Sequence, residues 1–213
     1  MIIPWEEVVN QINGNKPTEI ICIIDKSGSM YSVKDDTIGG FNTFLEEQQK
    51  LEGEAVMTTV LFDTDYTLLY SGKPVKEVEF LNNNTYVPNG CTSLLDAIGK
   101  TITDIQSRLK DSIIQPNVIM VILTDGQENS SREYNRKTIN DKIKECQNSG
   151  WEIIYLGANQ DSFSEAGSLG IMSVNTVNYT VANTKSAWVG ISRAVSSYHS
   201  GGIVTDSWKD EVK

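Results

Sequence analysis

Apolar positions along the chain follow two rhythms. Short unbroken runs, Glu19 to Asp25 (EIICIID), Asn117 to Thr124 (NVIMVILT) and Trp151 to Leu156 (WEIIYL), are rich in β-branched residues. Such runs predict central strands buried on both faces. Between them, apolar residues recur at steps of three and four, the period of a helix with one buried face. Ser32 to Lys50 carries Ile38, Phe41, Phe44, Leu45 and Gln48, with Gly39 and Gly40 permitting close approach to a sheet. Leu94, Leu95, Ile98, Ile102, Ile105 and Leu109 form the clearest stripe, and its start resembles a capping box, Ser93 with Asp96. A third helix bears Ile139, Ile143 and Cys146, and a last one, Thr184 to His199, bears Ala187, Ile191, Val195 and Tyr198, with Gly201 and Gly202 to end it.

Ala55 to Phe62 and Tyr66 to Tyr70 are separated only by Asp63-Thr64-Asp65, too short for a crossover, so they predict an antiparallel hairpin. Asp161 to Gly167 reads as a short helix and Ser173 to Tyr179 as a weak edge strand. The order predicts an α/β fold: a doubly wound, mostly parallel six-stranded sheet with one antiparallel edge strand and helices on both faces. With 213 residues and no linker or repeat, one domain over 1–213 is expected, its core about 18–200. The N-terminal segment and the polar tail from Thr205 are expected to be peripheral, the tail on the surface.

Acidic residues outnumber basic ones 28 to 18, for a formal charge of -10. That balance disfavours binding to nucleic acid or an anionic membrane and suits a cation or a basic partner surface. Cys22, Cys91 and Cys146 are odd in number and irregularly spaced, which fits neither a disulfide framework nor paired zinc ligands. All three read as structural residues in a reducing compartment. No apolar run approaches the roughly 20 residues that span a bilayer, and the N-terminus lacks the pattern of a signal peptide. A cytoplasmic protein is therefore expected.

In an open parallel sheet, ligands bind beyond the carboxyl ends of the strands, near the point where strand order reverses. The first central strand ends in Asp25-Lys26-Ser27-Gly28-Ser29, the next in Thr124-Asp125-Gly126, and Asn89-Gly90-Cys91-Thr92-Ser93 precedes the clearest helix. If those strands are neighbours, these loops bring together the carboxylates of Asp25 and Asp125 and the hydroxyls of Ser27, Ser29 and Thr92. An all-oxygen set suits a hard cation, Mg²⁺ or else Mn²⁺ or Ca²⁺, rather than zinc or copper. Singly, each element has an ordinary explanation: Ser29 and Thr92 or Ser93 as helix caps, Asp125-Gly126 as a turn. Lys26 is expected to reach solvent, Asp63 and Asp65 to serve the turn, and Glu128 and Asn129 to shape a partner surface or form a solvated loop. His199, Trp188 and Trp208 carry no readable role.

DKSGSM, GCTSL and VILTDGQENS together, in this order, resemble the von Willebrand factor A domain with its metal-ion-dependent adhesion site. The resemblance extends from about Thr18 to His199. It implies that Ser27 and Ser29 ligate the metal directly, that Thr92 does so when a ligand is bound, and that Asp25 and Asp125 act mostly through water. It further implies a non-enzymatic interaction module, part of a multiprotein assembly, that binds an Asp or Glu of a partner protein through the ion. The competing readings are a metal-dependent hydrolase or phosphotransferase, and a scaffold with a vestigial site. Against the first, Ser27 stands where phosphoaspartate enzymes carry a second acid.

Overall fold

A computed structural model of the chain describes residues 16–158, 162–179, 183–200, 204 and 206–212. The isoleucine-rich run forms β1 (Thr18–Asp25), buried along its whole length. It lies between β2 (Ala55–Phe62) and β4 (Asn117–Thr124), parallel to both. β3 (Tyr66–Pro74) pairs antiparallel with β2, while β5 (Glu152–Gly157) and β6 (Thr176–Asn178) extend the other side in parallel. The resulting order, β3-β2-β1-β4-β5-β6, is the expected six-stranded sheet with one antiparallel edge strand.

Side chains alternate across a strand, and β1 divides its apolar residues accordingly. Ile20, Cys22 and Ile24 face a layer containing α1 (Lys34–Lys50) and α5 (Thr184–His199); Ile21 and Ile23 face one containing α2 (Leu94–Leu109) and α3 (Arg136–Asn148). The short α4 (Ser162–Ser168) adds Ala166 to the second layer. Both faces are covered, which is why the central strands read as continuous apolar runs. Gly40 does permit a close approach, but to a helix rather than the sheet. A Cβ there would lie 2.0 Å from Cδ1 of Trp188, whose buried ring packs against Phe41 and Phe44.

Several boundaries differ from the sequence expectation. The first helix begins at Lys34, because Gly28–Val33 form a 3₁₀ segment that turns the chain away from β1. β3 runs on to Pro74, and the edge strand expected from Ser173 shrinks to three residues after a 3₁₀ turn (Ser173–Asn175). The tail expected on the surface instead packs inward: Asp206–Glu211 form a 3₁₀ segment that brings Trp208 and Val212 into the α1/α5 layer, 3% and 4% exposed. His199, at the end of α5, ties that helix to the start of β1 and to the segment before β2. Its Nε2 faces the Glu52 carbonyl at 2.8 Å and so must donate, while Nδ1 lies 2.7 Å from Thr18 Oγ1. Gly201, Gly202 and the N-terminal segment through residue 15 lie outside the described residues.

Candidate metal centre

β1 and β4 are adjacent, and strand order reverses there, so their carboxyl ends open on one crevice. Asp25, the last residue of β1, is fully buried; its Oδ1 accepts the Ser27 backbone N–H at 2.7 Å and its Oδ2 the Thr124 hydroxyl at 2.5 Å. Ser27 Oγ and Ser29 Oγ are 3.1 Å apart, and Ser29 Oγ donates to Asp125 Oδ1 at 2.6 Å. Thr92 arrives from the segment before α2. A Cβ added to Gly126 would stand 2.8 Å from Thr92 Oγ1 and 3.6 Å from both Asp25 Oδ2 and Ser29 Oγ. All five sequence-selected residues therefore meet at one place, Asp25, Ser27 and Thr92 buried and Ser29 exposed. Gly126 keeps the space between them free of side chain.

The backbone fixes these loops against one another. Gly28 N–H donates to the Gly90 carbonyl at 3.1 Å and Asn89 N–H to the Lys26 carbonyl at 2.8 Å, joining the first loop to the one bearing Thr92. The buried Tyr86 hydroxyl donates to the Asp25 carbonyl at 2.6 Å. Cys91 N–H donates to Thr64 Oγ1 at 2.9 Å and Ser93 N–H to the Asp63 carbonyl at 2.9 Å, so the β2–β3 turn braces the same loop. Thr124 and Tyr86 escaped the sequence reading. Thr124 was signalled by its place beside Asp125 at a strand end, whereas Tyr86, deep in an Asn-rich loop, gave no sign.

Three expectations are corrected here. Lys26 does not reach solvent: its ammonium pairs with Asp63, both side chains largely buried. Asp63 is thus a counter-ion as well as a turn residue, its Oδ1 accepting Asp65 N–H at 2.7 Å. The Ser93/Asp96 capping box does not form. Ser93 makes no side-chain cap and meets Ser130 Oγ at 2.7 Å, while the Asp96 carboxylate accepts the backbone N–H groups of Arg132, Glu133 and Tyr134 at 2.8–2.9 Å. Glu128 and Asn129 form a loop that is solvated only in part: Asn129 is exposed and Glu128 half-buried, and both side chains bond to the segment from Thr92 to Leu95.

Burial pushes the Asp25 carboxyl up to about 6, against the lowering effect of the Thr124 and Ser27 hydrogen bonds; the charge of Asp125 adds to the rise. Asp125 is also raised by burial, offset in part by Ser29. Among the described residues, no basic side chain is among the groups that shift the Asp25 carboxyl. A divalent cation would supply the missing positive charge, and the oxygen donors suit a hard ion. Among the described residues no group of three or more His, Cys, Asp or Glu could hold a metal by itself. A cation at this place would depend on the serine and threonine hydroxyls.

The doubly wound sheet with loops converging at its switch point is the von Willebrand factor A fold. Solved structures that share it include the following three. The von Willebrand factor domain of the type V pili tip protein Mfa5 from Porphyromonas gingivalis is 13% identical over 90% of this chain and 99% of its own, with a TM-score of 0.62. Proximal thread matrix protein 1 from the mussel byssus is 13% identical over 86% of this chain and 47% of its own, with a TM-score of 0.59; another of its structures has zinc in the MIDAS motif, the metal-ion-dependent adhesion site. The manganese-loaded TRAP protein of Plasmodium vivax is 17% identical over 83% of this chain and 72% of its own, with a TM-score of 0.56. The chain thus spans about half the length of the mussel protein. At these identities the likeness is one of fold. No family model and no curated protein sequence matches the chain.

Proposed function

We propose that the chain is a metal-dependent protein-interaction module in which Asp25, Ser27, Ser29, Thr92 and Asp125 hold one divalent cation and a partner protein's Asp or Glu completes the site. The observation that carries this reading is the meeting of three hydroxyls and two carboxylates, from three separated segments, around the side-chain-free space at Gly126. Ser27 and Ser29 are taken as direct ligands, Thr92 as a ligand once the partner has bound, and Asp25 and Asp125 as groups acting through water. The ion supplies positive charge that neutral hydroxyls leave largely unquenched, and hence an attraction for a foreign carboxylate.

The chain's own groups prepare that encounter. Asp25, held by Thr124 and the Ser27 amide, forms the buried floor. Ser29 and Asp125 form the open rim, and Tyr31, two residues beyond Ser29 in the chain, is 75% exposed. The described neighbours hold zinc in one case and manganese in another. For this all-oxygen set Mg²⁺ is the assigned ion, with Mn²⁺ or Ca²⁺ as substitutes. We read the module as a non-enzymatic adaptor in a multiprotein complex. We assign the module to the cytoplasm, where Cys22, Cys91 and Cys146, free thiols in this structure, would stay reduced; no described helix is long and apolar enough to cross a membrane.

Affinity capture tests the reading. Immobilised wild-type protein in Mg²⁺ is expected to retain a partner that chelator releases and that Thr92→Ala, still folded, fails to capture. Capture indifferent to both treatments would refute it.

A further inference from the structure

Thr92 lies before α2, outside the strand ends that carry the other four candidate ligands, and another part of the chain holds its backbone. Thr92 N–H donates to Asn129 Oδ1 at 2.9 Å, and Asn129 N–H donates back to the Thr92 carbonyl at 3.1 Å. The next residues continue the contact. Glu128 Oε2 accepts Leu95 N–H at 2.9 Å and the Ser131 hydroxyl at 2.7 Å, while its Oε1 accepts the amides of Ser130 at 2.9 Å and Ser131 at 2.7 Å. Ser131 Oγ in turn accepts Asp96 N–H at 3.1 Å.

The first amides of a helix have no partner within it. Here those of Leu95 and Asp96 are satisfied from outside α2, by a segment that begins three residues after Asp125. The segments that carry two candidate ligands, Thr92 and Asp125, are thereby joined by reciprocal hydrogen bonds between Thr92 and Asn129. Asn129 meets Thr92 through its backbone, and its side-chain bond fixes where the Thr92 peptide, and so its hydroxyl, stands.

We propose that Asn129, supported by Glu128, is a positioning residue for Thr92, tying it to the segment that follows Asp125. This rests on the cation reading above. Partners of metal ligands commonly change affinity about 10- to 100-fold when removed, and the effect of Asn129 should be exerted through Thr92 alone.

The test is a double-mutant cycle on the full chain, with Mn²⁺ as the probe in calorimetry in excess acetate, which stands in for the partner's carboxylate and so engages Thr92, and amide hydrogen exchange measured without metal. Asn129→Ala should weaken Mn²⁺ binding about tenfold and remove protection of the Thr92 amide. In the Thr92→Ala background it should change affinity no further. Asn129→Asp, which keeps the acceptor oxygen, should restore the protection. Glu128→Gln places an amide among four donors and should weaken Mn²⁺ in the same Thr92-dependent way, which keeps the test decisive if Asn129→Ala does not fold. Additive losses in the double variant, wild-type affinity in Asn129→Ala or Thr92→Ala, or unchanged protection of Thr92 would each overturn the proposal. No Mn²⁺ uptake by the wild type would instead overturn the cation reading itself.

Discussion

Asp25 is buried at the end of the central strand, and its carboxyl titrates near 6 rather than in the ordinary range. Without metal, the folded state therefore holds the proton more tightly than the unfolded state does. The sign follows: Asp25 favours folding below about pH 4, and this contribution, about 3 kcal/mol, is lost as pH rises through 6. Melting of the protein in chelator should show that loss between pH 4 and 7, and Asp25→Asn should lack it. Proton and metal compete for the same oxygens, so Mn²⁺ affinity should fall as pH drops below about 6. Affinity independent of pH across that range would contradict the placement of Asp25. Lys26 sets a second expectation, because its ammonium is largely enclosed with Asp63. Asp63→Ala should destabilise the protein by about 3 kcal/mol, and adding Lys26→Met should recover most of it in denaturant titrations. The sequence showed the five oxygen-bearing residues because small residues and turns isolate them at strand ends. It did not show where Lys26 goes, since a lysine between Asp25 and Ser27 reads equally well as solvated.

Elements were legible wherever one periodicity dominated. β1, β4 and α2 stand almost where their apolar patterns placed them. The failures have a common physical origin: contacts made at long sequence separation. Ser93 and Asp96 have the spacing of a capping box, yet residues 128–134 satisfy the start of α2 and use Asp96 for themselves. The final segment looked polar because, among its described residues from Asp206 on, only Trp208 and Val212 are buried, too few for a readable stripe. Trp208→Ala should therefore cost about 3 kcal/mol or more, against almost nothing for a surface tail. Gly40→Ala should also destabilise, by about 1–3 kcal/mol, because its methyl would meet the Trp188 ring in a packed layer. Both are read from the shift of a thermal or denaturant midpoint.

Across the whole molecule, a single topological fact organises the site. β1 sits between β2 and β4, which places the ends of β1 and β4 side by side and leaves the β2–β3 turn to brace the loop that delivers Thr92. That convergence was legible only as a condition, because the sequence marks the two strand ends and the loop before α2 but leaves open whether the strands are neighbours, which the family resemblance implied. The side-chain bonds that hold the loops in register were not, because they link residues whose pairing only the folded chain reveals. The overall charge of -10 also suits a centre that gathers a cation. The most direct test is calorimetric titration with Mn²⁺ at neutral pH of the wild type and of Ser27→Ala/Ser29→Ala, each also melted in chelator. One ion per wild-type chain and none for the variant is expected, with the variant's metal-free melting temperature close to that of the wild type. Equal uptake by both proteins, or none by the wild type, would contradict it.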